Sequence, residues 1–258
     1  MKVLKDLQQN ETLLRRGYIL LDFLSGQETE TLAKAFYDHH PVEPSGLYAS
    51  AHHQDFDFRL KMSRTIKQML EPIFTTFSEA YRLLGSSYLA KSPKGNGVLS
   101  PHQDWNIVDE QEYSSYNLWI PLVDVNKKNG TIEIIEGSHL WHTTFRGPNI
   151  PSAYAKVEKK LFPKFFPVEI SAGTALLYDH RLIHYSDNNR SVSNRLVTVS
   201  GVAPKQADTY YYFGNAPFVE QYYLEEDFYL RNNIFEGNKV LKLKEKFKYT
   251  FPQFMDLP

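Results

Sequence analysis

Past Gly85 the chain is cut into short runs rich in Tyr, Val, Ile, Thr and Leu, punctuated by Gly, Pro, Asn and Asp: "SSYLAKS", "GVLSPHQ", "YNLWIPLVDV", "TIEIIE", "FFPVEI", "TALLYD", "LIHYS", "RLVTVSGVA" and "TYYYFG". Runs of this length and spacing are strands of antiparallel sheets. Each buries one face only by packing against another sheet or against helices. The first third has a different rhythm. Residues 1–16 carry helical spacing, and "GYILLDFLS" (17–25) reads as a buried strand and a turn. Ser25 stands three residues before Glu28, the reciprocal capping arrangement, ahead of the helical "GQETETLAKAFYDHH". Residues 41–58 read as a loop, and 59–85 as a longer helix bent at Pro72.

The expected architecture is mostly β with supporting α-helices: a jelly-roll sandwich with the N-terminal helices on one sheet. With no repeat or low-complexity linker, residues 1–258 form one domain. It divides into a helix-rich support (1–85), a β core (86–215) and a mixed helical tail (216–258). The "KKNG" turn reads as hairpin-like. The segment 138–164 reads as an insertion over the barrel mouth, and 238–248, with five lysines, as a solvated helix face.

Composition narrows the function. The 258 residues hold no cysteine, which excludes disulfide scaffolds, thiol nucleophiles and thiolate metal sites. A formal net charge of −1 offers no basic field for nucleic acid or anionic membranes. The N-terminus has no apolar run before its charges recur, and no stretch reaches the about 18 apolar residues of a membrane span. A cytoplasmic protein acting on a small molecule is the expectation.

The chemistry starts at "SPHQDWN" (100–106), where His102 and Asp104 stand two apart at a strand end, so both side chains project to one side. His184 lies near the end of a late strand, and a jelly roll brings early and late strands together at one mouth. Two histidines and a carboxylate on one face of an octahedral ion leave three positions open, the donor set of non-haem iron(II) oxygenases. Arg195 follows His184 by eleven residues across a turn and returns beside it on the neighbouring strand. A buried guanidinium there needs an acid, and no Asp or Glu follows the turn closely on that strand. An external carboxylate suits its fork. Arg190 falls inside the turn and reads as solvated.

"HQD", then "YNLWIPLVDVNKKNGTIEIIEGSH", then "AGTALLYDHRLIHYSDNNRSVSNR", in this order over roughly residues 85–203, resemble the phytanoyl-CoA dioxygenase family of iron(II)- and 2-oxoglutarate-dependent oxygenases. The resemblance implies a double-stranded β-helix, cupin-like, with His102, Asp104 and His184 as iron ligands. It also implies 2-oxoglutarate held at its distal carboxylate by Arg195 with Ser186, and dioxygen consumed as it is decarboxylated to succinate and carbon dioxide. The implied outcome is hydroxylation of an unactivated C–H bond in a small organic molecule, such as an amino acid or a natural-product intermediate. Halogenating relatives have a small residue where Asp104 stands, so halogenation is not expected. His139, in the "GSH" turn, reads as structural.

Lys91 and Asn117 are further candidates for contact with 2-oxoglutarate, and Trp119 reads as core. Trp105 and Asn106, which follow the ligand pair, and Trp141 and Arg146, in the insertion, are candidates for substrate contact. Two lid segments are expected, 44–58 (Tyr48, His52, His53, with Arg59 beyond) and 141–155 (Trp141, His142, Arg146, Tyr154). The competing readings are a non-catalytic metal- or ligand-binding jelly roll, and an oxygenase for a peptide or an acyl-CoA.

Overall fold

In a computed structural model, residues 2–40, 44–93 and 96–258 are described. The N-terminal third forms helix α1 (Leu7–Arg16), strand β1 (Tyr18–Asp22), helix α2 (Gly26–His39), strand β2 (Leu47–Ala49) and helix α3 (Phe56–Phe77). Both halves of the capping box at Ser25 and Glu28 are made. The α1–β1 junction needs Gly17, whose φ is +83° and where a Cβ would lie 2.4 Å from the ring of His139. His139 Nε2 donates to the Leu14 carbonyl, so its part is to fix this junction.

Helix α3 ends earlier than the expected 85. Its buried positions Ile66, Leu70 and Phe74 recur every four residues. Ser78 then turns extended and ties its hydroxyl to the Val3 carbonyl. Residues 81–85 open strand β3 (Tyr81–Lys91), because "YRLLGSSYLAK" suits a pleat better than a helix face. In the expected 41–58 loop, β2 pairs with β3 at Leu47–Ala49; residues 41–43 lie outside the described residues.

Then follow β4 (Leu99–His102), β5 (Tyr116–Pro121), β6 (Glu133–Ile134), helix α4 (Glu158–Leu161), β7 (Phe166–Pro167), β8 (Thr174–Asp179), β9 (His184–Ser186) and β10 (Arg195–Pro204). Two antiparallel sheets face each other. One has the order β1-β8-β5-β10-β3-β2, the other β4-β9-β6-β7. This is the double-stranded β-helix core. Alternation sorts the side chains: Leu118 and Ile120 of β5 and Leu177 of β8 join the core under the helices, while Trp119 and Leu176 point between the sheets. Opposite Ser200 and Val202 of β10, strand β3 carries one extra residue between Leu83 and Ser86, which switches the face of its first residues: Tyr88 and Ala90 point to the helices after it, Tyr81 and Leu83 before it.

The "KKNG" stretch joins no hairpin. Its flanking strands β5 and β6 sit in opposite sheets, and residues 127–129 make a 3-10 turn capped by Asn126. The expected mixed helical tail is built mainly on strands. Strands β11 (Tyr210–Asn215), β12 (Phe218–Tyr223) and β13 (Leu243–Lys248) form a third antiparallel sheet, with the short helices α5 (Phe228–Arg231) and α6 (Gly237–Val240) between β12 and β13. A hairpin thus crosses the expected 215/216 boundary. "LKLKEKFK" alternates with period two, and its lysines line a sheet edge, where they discourage pairing with another chain. No helix among the described residues is long and apolar enough to cross a membrane.

Candidate metal centre

Antiparallel pairing of β4 with β9 sets His102 directly opposite His184, with ring centroids 4.2 Å apart. Asp104 follows two residues on, and one donor atom from each of the three lies within 4.8 Å of the others. Asp104 Oδ1 is 3.9 Å from His102 Nε2, and its Oδ2 is 3.8 Å from His184 Nε2. His102 Nδ1 lies 2.6 Å from the Ser100 carbonyl and His184 Nδ1 2.9 Å from the Leu182 carbonyl. A carbonyl only accepts, so each Nδ1 carries the proton and each Nε2 presents a lone pair to the third residue. Burial pulls His184 down to about 4, helped by His102, which keeps it neutral. Burial also pushes the Asp104 carboxyl up, but His184, His180, His102 and the Asn117 amide outweigh it and hold the group ionised. Two imidazole nitrogens and a carboxylate are the donor set a divalent iron needs.

The Asp104 turn is held from behind. Asn117 donates to Asp104 Oδ2 at 2.8 Å, so it touches the metal ligand rather than the cosubstrate position expected for it. Arg146 is buried. Its Nε donates to the Asp104 carbonyl at 2.6 Å, and its guanidinium forms a bidentate pair with buried Glu110 at 2.6 and 3.0 Å. Asn106 accepts from the Arg146 backbone and is also buried. Trp141 packs on Tyr154 with centroids 6.3 Å apart. Neither Arg146, Asn106 nor Trp141 reaches the cavity above the metal cluster, and the expected lid segment 138–164 contributes nothing to its walls among the described residues. Trp105 does reach it.

That cavity, about 760 Å³, runs between the two sheets. At its inner end Arg195 of β10 stands in register with Lys91 of β3. Both are buried, and Lys91 has no exposed surface. Lys91 Nζ donates to Ser186 Oγ at 2.5 Å and to the carbonyls of Ser186 and Asp187. Ser186 Oγ in turn donates to the Gly130 carbonyl at 3.0 Å, which Arg195 Nη1 also reaches at 3.2 Å. Arg195 Nε is sealed from solvent with no partner. Burial lowers Lys91 to about 7, with Arg195 adding to the shift, and burial alone lowers Arg195 to about 9. Two cations meet here with no ion pair to a carboxylate among the described residues. The nearby Asp187 side chain is taken by Arg190, which is exposed.

Several functional positions lacked a sequence signal. Gly130 has φ +75°, and a Cβ there would lie 2.5 Å from the Asp187 carbonyl; its "KKNG" turn serves to deliver a carbonyl to Ser186 and Arg195. Tyr178 sits edge-on to His184 at 5.0 Å, and its hydroxyl accepts from Asn117. His180 lines the cavity, tied at Nδ1 to the Ser115 hydroxyl. His52, expected in a lid, also lines it, whereas His53 packs on Phe58.

Fold and cluster together define a jelly-roll protein in which two histidines and a carboxylate converge as a group able to hold a metal ion. The model of the phytanoyl-CoA dioxygenase family matches residues 15–197, and the chain belongs to that family. A phytanoyl-CoA dioxygenase of Arabidopsis thaliana is 31% identical over 146 residues, 49% of this chain and 50% of that protein. A phytanoyl-CoA dioxygenase domain-containing protein 1 homologue of Dictyostelium discoideum is 29% identical over 121 residues, 44% of this chain and 43% of the other. The chain thus spans about half the length of these curated relatives. Among solved structures, the non-haem α-ketoglutarate-dependent carbocyclase SnoK of nogalamycin biosynthesis superposes with a TM-score of 0.58 at 17% identity, covering 79% of this chain and 86% of that one. HygX from Streptomyces hygroscopicus, with nickel and 2-oxoglutarate bound, gives 0.54 at 17%, covering 78% and 88%. At such identities the likeness is one of fold.

Proposed function

We propose that the protein is an iron(II)- and 2-oxoglutarate-dependent dioxygenase that hydroxylates an unactivated C–H bond of a small organic substrate. The observation that carries this reading is one cavity lined by two complementary groups: His102, Asp104 and His184 with their donor atoms converging, and Arg195, buried without an acid and backed by Lys91, whose ammonium is held by Ser186 and the Asp187 carbonyl. Uncompensated buried cations are expensive, and a dicarboxylate end supplies what they lack. Iron(II) with 2-oxoglutarate and dioxygen supplies the oxidising chemistry, releasing succinate and carbon dioxide.

The chain's own residues position and exclude. The Asp104 backbone is pinned by Arg146 and Glu110, and Asn117, bonded to Asp104 Oδ2, would hold the orientation of the carboxylate toward a bound ion. Lys91, Ser186 and Arg195 fix the far end of the cosubstrate, with the Trp119 ring 5.6 Å from the Arg195 guanidinium. Asp104 fills the position a halide would need, which favours hydroxylation over halogenation. The test is an anaerobic titration of the apo-protein with iron(II) and 2-oxoglutarate, followed by the visible charge-transfer absorption of the chelate. The expected result is a saturable band in the parent that is lost in His184→Ala and shifted to much higher 2-oxoglutarate in Arg195→Ala. Bound iron with no band removes the 2-oxoglutarate assignment and leaves a metal-binding jelly roll.

A further inference from the structure

Beyond the metal, the cavity continues toward Arg82 on β3, a residue with no part in holding iron or cosubstrate. Its Nε is closed off from solvent and has no hydrogen-bond partner, and its guanidinium forms no ion pair among the described residues. Arg82 stands opposite Ala203 of β10, two residues past Gly201, which faces Asn117 of the metal shell. Two strand spacings of about 4.8 Å across β10 and two residues of about 3.3 Å along it separate the Arg82 and Asn117 backbones by roughly 12 Å, one small molecule's length.

Three carboxylates, Asp208, Glu225 and Glu226, line the same cavity, yet none comes within ion-pair distance of Arg82. Glu226 is engaged by Lys67 at 3.2 Å. Between the charges the walls are apolar and aromatic. Leu230 lies over Gly85 of β3, and Trp105 and Tyr229 have ring centroids 6.0 Å apart. Nε is the closed-off part of a half-buried side chain; Arg82 still lines the cavity, and its guanidinium, held by no carboxylate among the described residues, offers donors to an acceptor on the ligand. The carboxylates set the limit on that ligand's charge, because a polyphosphate brought past them meets repulsion at every step.

We propose that Arg82 anchors a single acidic group of the substrate, and that the substrate is a compact monocarboxylate with an apolar or aromatic body rather than a coenzyme A thioester. This rests on the dioxygenase reading, since it takes the Lys91–Arg195 end of the cavity to be filled by 2-oxoglutarate.

The experiment follows arginine Nε–H resonances by NMR in full-length protein loaded with zinc(II), a diamagnetic stand-in for iron, and 2-oxoglutarate. Those of Arg82 and Arg195 are assigned by their loss in Arg82→Lys and Arg195→Lys. The probes are phenylacetate, phenylacetamide and coenzyme A. The expected outcome is a saturable shift of the Arg82 resonance with phenylacetate and none with the amide, with phenylacetate bound roughly tenfold or more weakly by Arg82→Gln. No Arg82 shift, an equal shift with the amide, or a larger one with coenzyme A overturns the proposal. The dioxygenase reading fails separately, when 2-oxoglutarate leaves the Arg195 resonance unmoved.

Discussion

The two ends of the cavity are built on opposite plans. At the inner end Lys91, Ser186, Arg195 and the Gly130 carbonyl interlock, each supplied by regular strand or by a capped turn, and all lie buried in the sandwich. At the outer end Arg82, Asp208 and Glu225 stand apart, and the wall comes from the four-residue helix α5 and the turn before it. Preorganisation lowers the cost of binding one invariant ligand. An end with unengaged charges and short elements takes its final form from the ligand it receives. Under the proposed function, the inner end would receive the cosubstrate and the outer end would set specificity.

The largest expected break in this contrast is at Arg195. Truncating one partner of a buried charge pair costs about 2–5 kcal/mol, or roughly thirtyfold to a few thousandfold in affinity. Arg195→Met is therefore expected to weaken 2-oxoglutarate binding by that factor in a calorimetric titration. Without ligand the effect reverses. The arginine is a buried cation beside another cation, and its replacement by an apolar side chain is expected to raise Tm of the apo-protein. Lower affinity with an unchanged or lower apo Tm would mean that the site is not storing uncompensated charge.

Next in size is Asn117→Ala. Loss of its hydrogen bond to Asp104 Oδ2 frees the carboxylate to rotate, and such supporting contacts are worth about 10–100-fold in metal affinity. Competition against a fluorescent chelator measures it. A drop in 2-oxoglutarate affinity at unchanged metal affinity would return Asn117 to the cosubstrate role first expected for it.

What was legible in the sequence follows from how local each signal is. His102 and Asp104 are two apart at the end of β4, so a short spacing carried that pair. Arg195 was expected on the strand beside His184, but β9 and β10 lie in opposite sheets, and Arg195 pairs instead with Lys91 of β3, a long-range neighbour that no local spacing announces. The nine-residue reach from Arg82 to Lys91 along β3 was not legible, because the helix expected over 59–85 ran across the start of that strand. Arg146 looks like a lid cation in sequence, yet its partner Glu110 is 36 residues away and nothing local announces the pair. In 238–248 the lysine count concealed a period-two alternation that makes an edge strand.

The inner end also carries a pH signature. Burial, with Arg195 adding to it, lowers Lys91 in the free protein to about 7, and the distal carboxylate of 2-oxoglutarate would favour its charged form. Below pH 7 the proton is already present and affinity is flat. Above it, binding must take up a proton, so affinity falls by up to about tenfold per pH unit. Lys91→Met is expected to bind more weakly and without this slope. Stability runs the other way: the unfolded lysine keeps its proton to about 10.4 while the folded one has lost it, so apo stability from this group rises between pH 7 and that value. A flat 2-oxoglutarate affinity from pH 6 to 9 in the parent would show that Lys91 does not meet the carboxylate.

The smallest effect is expected where the sequence pointed to substrate and the structure places packing. Trp141 is half-buried against Tyr154, which also packs at a tilt on Phe254, and lies off the cavity. Trp141→Ala removes an aromatic contact worth about 0.5–1.5 kcal/mol beyond its buried area, so the protein loses a few degrees in Tm. With 2-oxoglutarate turnover followed by succinate release, both kcat and KM stay within about twofold of the parent, since the walls that receive ligand come from Trp105, Leu230 and Tyr229 instead. A KM for 2-oxoglutarate or for a stimulating carboxylate that rises well past that range, at unchanged Tm, would mean that the 138–164 segment closes over the mouth in the working enzyme, and would move the boundary between the two ends of the cavity.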